Sequence, residues 1–324
     1  MNIVYCFIGK LPNYTIETVH QLRLFYDGPV YFIVSDNESD IAKALEHEYK
    51  VTIIKYESVK SIEFTKTVEE CYKRFIICHD LKGREHLFIC AFERFFLLYN
   101  LMNSKKLTDV FFVELDNLVY EDPRKWTRAF QSKPAAWMFD NVGRCSSGVC
   151  YFKQSDILDK LNNHFLAFIR TSPKLLSEMS ALWEFWEAHK DSVQILPTHW
   201  TSTSVSEIAY SEYDKYESSI FDAAALGIFI GGIDPIRTKG VLKKGIISTE
   251  SAINYGIYEY EWRLDDKKRN IPYVLKKDTN QWLRINNLHI HSKHLIDCLS
   301  KPCLSLVCGE FNPKPCCKNG MCMC

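Results

Sequence analysis

Net charge is the first thing this 324-residue chain lacks: 40 Lys and Arg stand against 40 Asp and Glu. No long-range field therefore draws it to nucleic acid, and nucleic-acid binding is not expected. Long apolar runs are missing too. A membrane span needs about 18 apolar residues, and the longest candidate, Ile220 to Ile233, is interrupted by Asp222 and three glycines. Met1 to Ile8 is apolar but short, has no basic start and runs into Gly9-Lys10-Leu11-Pro12, so it does not read as a secretory signal. A cytoplasmic location follows as the expectation, with the sequons at Asn13 and Asn37 unused. No CxxC pair occurs among the 13 cysteines, which removes the usual structural zinc module. Internal repeats and low-complexity linkers are absent as well.

What is present is a soluble globular composition, 47% hydrophobic and 25% charged, rich in Phe, Tyr and Trp. Seven cysteines crowd residues 298–324. That segment reads as a Cys-rich tail after a folded unit ending at 297. Fraying, adventitious metal binding, a disulfide staple and lipidation with peripheral membrane contact all stay open for it.

The first 55 residues alternate between apolar strands and helices: Ile3–Ile8, a helix over 17–26, Val30–Val34, a helix over 41–47, then Val51–Ile54. That order predicts βαβ units and a mostly parallel sheet. A helix over 87–102 presents Phe88, Phe92, Phe95, Phe96 and Tyr99 as an apolar stripe, with Arg94 off its centre. Next comes the strand Val110–Val113, followed at once by Glu114-Leu115-Asp116. Further helices are predicted over 124–131, 156–169, 175–190 and 221–230, with a last one over 292–299. Short strands are predicted at 135–139 and 149–152, a strand over 255–263, and an extended or loop segment over 283–291. The expected fold class is α/β: one Rossmann-like domain with a mixed, mostly parallel central sheet flanked by helices.

Alternate residues of a strand share a face, so Glu114 and Asp116 converge at the strand end. Crowded carboxylates need a positive partner, either Arg94 or Arg124, or a metal ion. In parallel α/β sheets ligands sit beyond the carboxyl ends of the strands. Asp36, Glu114-Leu115-Asp116 and Asp140 all follow apolar strands, so the three are expected to border one crevice. Hard oxygen ligands there suit Mg²⁺ or Mn²⁺ carrying a diphosphate.

The segment Phe112 to Asp122, FVELDNLVYED, resembles the D-x-D segment of GT-A glycosyltransferases, which use nucleotide sugars. The resemblance implies one GT-A-like domain over 1–297, with a nucleotide-sugar-binding half (1–140) and an acceptor-side half (141–297). It implies that Asp116 ligates the metal and that Glu114, a glutamate where the family has aspartate, faces the metal or the donor. Asp36 and Arg94 would contact the donor. His289 or His291, at period two in Ile285-Asn286-Asn287-Leu288-His289-Ile290-His291, would return to the metal, and Lys293 would neutralise phosphate. In the small-residue stretch Phe221 to Pro235, Asp222 and Asp234 are candidates to contact sugar or to deprotonate an acceptor hydroxyl; Asp222 also reads as a helix N-cap. The implied reaction moves a sugar from a UDP- or GDP-sugar, UDP favoured, to a hydroxyl acceptor such as a glycan, with Mn²⁺ or Mg²⁺. The rivals are an inactive binding protein of the same fold and a nucleotidyltransferase. The latter is disfavoured by a single glycine in Gly9-Lys10-Leu11-Pro12-Asn13.

Overall fold

The computed structural model describes residues 1–77, 85–174, 176–200, 207–210, 213–234 and 241–302. The chain opens with β1 (Asn2–Phe7), α1 (Thr15–Arg23), β2 (Val30–Val34), α2 (Asp40–His47) and β3 (Thr52–Lys55). Two long helices follow, α3 (Ile62–Ile77) and α4 (Glu85–Lys105), then β4 (Val110–Val113) and β5 (Asn117–Val119). The middle contains α5 (Thr127–Phe130), β6 (Ala135–Asn141), β7 (Arg144–Phe152), α6 (Ser155–Thr171), α7 (Glu178–Ala188) and β8 (Val193–Leu196). After α8 (Glu207–Tyr210) come β9 (Ser219–Ile220), α9 (Ala225–Gly231), β10 (Tyr260–Leu264), β11 (Asn270–Lys276), β12 (Gln281–Ile285) and β13 (Asn287–His289).

The central sheet has seven strands in the order β3-β2-β1-β4-β7-β6-β8. Only β7 runs against the others, antiparallel to both β4 and β6. The remaining pairings are parallel, so the mixed, mostly parallel sheet expected from the sequence is what forms. Both faces are covered, which explains why Val110–Val113 is apolar without alternation. Val110 and Phe112 enter the core shared with α3, α4, α6 and α7, whereas Phe111 and Val113 enter the core shared with α1 and α2.

Several boundaries differ from expectation. Residues 144–152 form one strand, not a Ser-Ser-Gly turn leading into a short one, because they pair along both β4 and β6. The last predicted helix is only a 3₁₀ turn, Leu295–Cys298, and the helix expected from 221 starts at Ala225. The 255–263 strand splits into a 3₁₀ turn, Tyr255–Ile257, and β10. Cys298 and Leu299 are buried, and Ser300 hydrogen-bonds to Gln21 and Asn270, so the packed unit runs past 297. The 140/141 position lies within β6, just before the turn of the β6–β7 hairpin. The Cys-rich segment beyond Pro302 lies outside the described residues. No helix among the described residues is long and apolar enough to cross a membrane.

Candidate active site

The reversed strand and a small two-stranded ribbon build the site. After β4, Glu114 N donates to Gly148 O (2.9 Å), and the chain turns so that Asn117 N reaches Glu114 O (3.0 Å). β5 then pairs antiparallel with β13, Asn117 opposite His289 and Val119 opposite Asn287. Helix α1 holds this segment from beneath: Thr18 Oγ1 donates to Leu115 O (2.6 Å) and Gln21 Nε2 to Val119 O (3.0 Å). Two stretches far apart in sequence, ELDNLV and NNLHIH, are thereby zipped together.

The zipper sets His289 between the acids. Its Nε2 lies 3.2 Å from Glu114 Oε2 and 3.1 Å from Asp116 Oδ2. Lys293 Nζ also pairs with Asp116 Oδ2. Burial alone would push the Asp116 carboxyl up, but His289 and Lys293 beside it hold it well below the usual range. Burial likewise pulls the His289 imidazole down, yet Asp116 and Glu114 carry it above its ordinary value. One donor atom from each of Glu114, Asp116 and His289 lies within 4.8 Å of the others. An octahedral ion with ligands at about 2.1 Å has neighbouring ligands about 3 Å apart, so the observed spacings suit one shared ion.

The backbone approach that allows this requires glycine at two places. A Cβ on Gly148 would stand 3.0 Å from His289 Nδ1 and 2.9 Å from Asn117 Nδ2. One on Gly227 would lie 2.2 Å from His289 O and 2.6 Å from Asp222 Oδ2. Asp222 itself is fully buried. Its Oδ1 accepts from Ala224 N (2.8 Å) and Leu226 N (3.0 Å), and its Oδ2 from Gly227 N (2.7 Å) and His289 N (2.8 Å). Ala224 bends to φ +128° to deliver its N–H, a conformation an L side chain resists.

Arg94 enters from α4. Its Nη1 lies 2.5 Å from Glu114 Oε1, and its Nη2 contacts Ser147 Oγ at 2.5 Å and Glu178 Oε1 at 3.3 Å. Glu178 is the first residue of α7, where the N-cap Ser177 accepts from Met179 N at 3.2 Å. These groups line a cavity of 830 Å³, which opens from the ends of β1 and α4 across the acids to the β6–β7 hairpin. At its other end Asp140 is buried, its carboxyl pushed up to about 6 by burial against the pull of Arg144. Arg144 bridges Asp140 (3.2 Å) and Glu250 (2.7 Å).

The sequence-selected residues thus fall into three groups. Glu114, Asp116, His289, Lys293 and Arg94 are brought together, the two acids by the turn between β4 and β5 and not by strand alternation. His291 packs its ring 4.5 Å from that of His289 and lines the cavity, but it is not one of the three convergent donors, because β13 ends at His289 and the chain turns away. Asp234 lines the cavity too. Asp36 does not: its carboxylate accepts from Leu11 N (3.2 Å) and closes the loop after β1, so only Glu114-Leu115-Asp116 and Asp140 of the three acidic strand ends border the crevice. Asp222 is the second correction. It does not line the cavity, and both its oxygens are engaged by four backbone N–H groups; the N-cap of α9 is Ala224, while Asp222 binds N–H groups of the helix's first turn and fixes His289. Glu178, Ser147, Arg144 and Glu250 were not selected. They reach the site through the reversal of β7 and through loops, which no local pattern encodes; only Ser177-Glu178, a capping serine followed by an acid, carried a local signal.

No family model and no curated protein matches the chain. Among solved structures it is similar to mouse xyloside xylosyltransferase 1, at 14% identity over 68% of this chain and 93% of that one, with a TM-score of 0.43. It is also similar to WbbM, a bifunctional glycosyltransferase, at 10% identity over 67% of this chain and 44% of that one, with a TM-score of 0.40. The galactosyltransferase LgtC, solved with donor and acceptor sugar analogs, aligns at 14% identity over 65% and 70%, with a TM-score of 0.34. The functional reading below rests on the site.

Proposed function

We propose that this protein is a metal-dependent glycosyltransferase that moves a sugar from a nucleotide-diphosphate donor, a UDP-sugar by preference, to a hydroxyl acceptor. The observation behind this reading is the convergence of Glu114, Asp116 and His289 at the floor of a cavity beyond the strand ends. In this reading those three residues hold Mn²⁺. When bound, the ion supplies charge stabilisation for the leaving diphosphate. Lys293 is released from Asp116 to stand against phosphate, and Arg94 pairs with Glu114 while facing the donor. The ends of β1 and α4, with Phe7, Ile8, Tyr14 and Phe88, give an apolar wall for the nucleoside. Asp140, Arg144 and Asp234 at the other end meet the sugar and acceptor, and Asp234 is the candidate to take the acceptor proton.

The test is hydrolysis and transfer with a panel of UDP- and GDP-sugars, with and without Mn²⁺. Metal-dependent turnover of one donor is expected. A folded sample that binds a donor without turnover would instead make it an inactive binding protein of this fold. Release of diphosphate from a nucleoside triphosphate and a sugar phosphate would make it a nucleotidyltransferase.

A further inference from the structure

Arg94 is a planar fork, and a guanidinium facing a single carboxylate prefers to engage both of its oxygens. Here it does not. Nη1 takes Glu114 Oε1 at 2.5 Å, while Nη2 is drawn off to Ser147 Oγ and to Glu178 Oε1 at 3.3 Å. Glu114 Oε2 is left facing His289 Nε2 at 3.2 Å. Ser147 Oγ also donates to Glu114 Oε1 (3.1 Å), closing the same side of the carboxylate. Arg94 Nε is buried with no hydrogen-bond partner among the described residues, so one donor of the fork is spare. The guanidinium rests over the rings of Phe95 and Phe112, 5.5 and 5.7 Å from their centroids, and apolar walls of that kind offer it no other acceptor.

From this geometry we infer that Glu178 is a positioning residue: it shares Arg94 with Glu114 and so keeps Glu114 Oε2 free to serve as the third metal ligand. The inference rests on the metal reading of the site. Glu178 touches neither the metal position nor the acids themselves; it acts through Arg94. Without it, Nη2 and the spare Nε close on Glu114 as a bidentate pair, Oε2 turns from His289, and the ion loses a ligand. Two acids sharing one buried cation thus set how many ligands a neighbouring ion receives.

Mn²⁺ binding followed by electron paramagnetic resonance on the full chain reads this without turnover. Glu178→Ala is expected to weaken Mn²⁺ about 10-fold, the lower end of losses seen when a group behind a metal ligand is removed. Glu178→Gln, whose amide oxygen still accepts from Nη2, recovers part of that loss. The deciding arm is the Arg94→Lys background: a lysine cannot grip both oxygens, so Glu178→Ala there leaves Mn²⁺ affinity within 2-fold of Arg94→Lys alone. An unchanged Mn²⁺ affinity in Glu178→Ala, or an equal loss in both backgrounds, overturns the role of Glu178. If Glu178→Ala does not fold, Glu178→Gln takes its place, since it keeps the shape and removes the charge; a smaller loss confined to the Arg94 background is then expected, and no loss overturns the inference. Absence of Mn²⁺ binding by the parent protein would instead refute the metal reading itself.

Discussion

The two ends of the cavity are built by different means. The Glu114-Asp116-His289 end is held by main chain: a β5–β13 ribbon, four N–H groups on Asp222 and two glycines that permit close approach. At the Asp140-Arg144-Glu250 end the main chain fixes only the β6–β7 hairpin and one bond from Ala252 N to Asp140 O, and Glu250, on an irregular segment and more than half exposed, joins through side chains. Backbone pairing fixes a side chain to a fraction of an ångström, as metal ligands require. Exposed ion pairs add little stability and rearrange freely. Under the proposed function, the first end suits invariant chemistry and the second suits adapting to a substrate.

The strongest break of that contrast is Asp116→Ala. It should remove metal-dependent donor turnover by about 10³-fold, the several kcal/mol that a charge-stabilising ion supplies. Unchanged Mn²⁺-dependent donor binding in this variant would sink the ligand assignment. Asp222→Asn comes next. An amide cannot accept from four N–H groups, so His289 loosens, and calorimetry should show Mn²⁺ binding weakened about 10- to 100-fold. At the other end Arg144→Ala should change acceptor KM while leaving Mn²⁺ affinity within about 2-fold; equal losses at both ends would erase the distinction.

Asp140→Asn sharpens it through pH. The folded-state carboxyl of Asp140 titrates at about 6, above its unfolded value near 4, so the folded form binds its proton more tightly. That contribution is full below pH 4 and is lost as pH rises through 6. Thermal melts should therefore show the variant gaining on the parent by about 2–3 kcal/mol between pH 4 and pH 7. The smallest effect is expected for Ala224→Gly, which relieves the φ of +128° and should leave stability equal or raise it by about 1 kcal/mol.

The parallel half of the sheet was legible because its strands are unbroken apolar runs separated by turn residues, as in Val30–Val34 after Asp27-Gly28-Pro29. Helix α3 was not. Thr65, Thr67 and Val68 are β-branched and weaken the helical signal, and its burial rests on few positions, Phe64, Thr67 and Phe75 among them. The site followed the same division. Glu114, Asp116 and His289 declare themselves as polar residues placed directly after or within apolar runs, although the two acids prove to sit in the turn between β4 and β5. Asp222 misled because a carboxylate beside glycines looks the same in sequence whether it faces a ligand or a set of amides. Glu178 carried only the local signal of a helix start after Ser177; its link to Glu114 runs through Arg94 on a third element, which no sequence pattern shows.

The β5–β13 ribbon joins residues 170 positions apart, Asn287 donating to Asn117 at 2.8 Å. On a ribosome the acids and their strand are therefore made long before the histidine that completes them. A nascent chain stopped short of Asn287 has every strand of the central sheet and both acids, but lacks the strand that brings His289 to them. Among the described residues, the cluster of Glu114, Asp116 and His289 is thus completed by the last strand to be made.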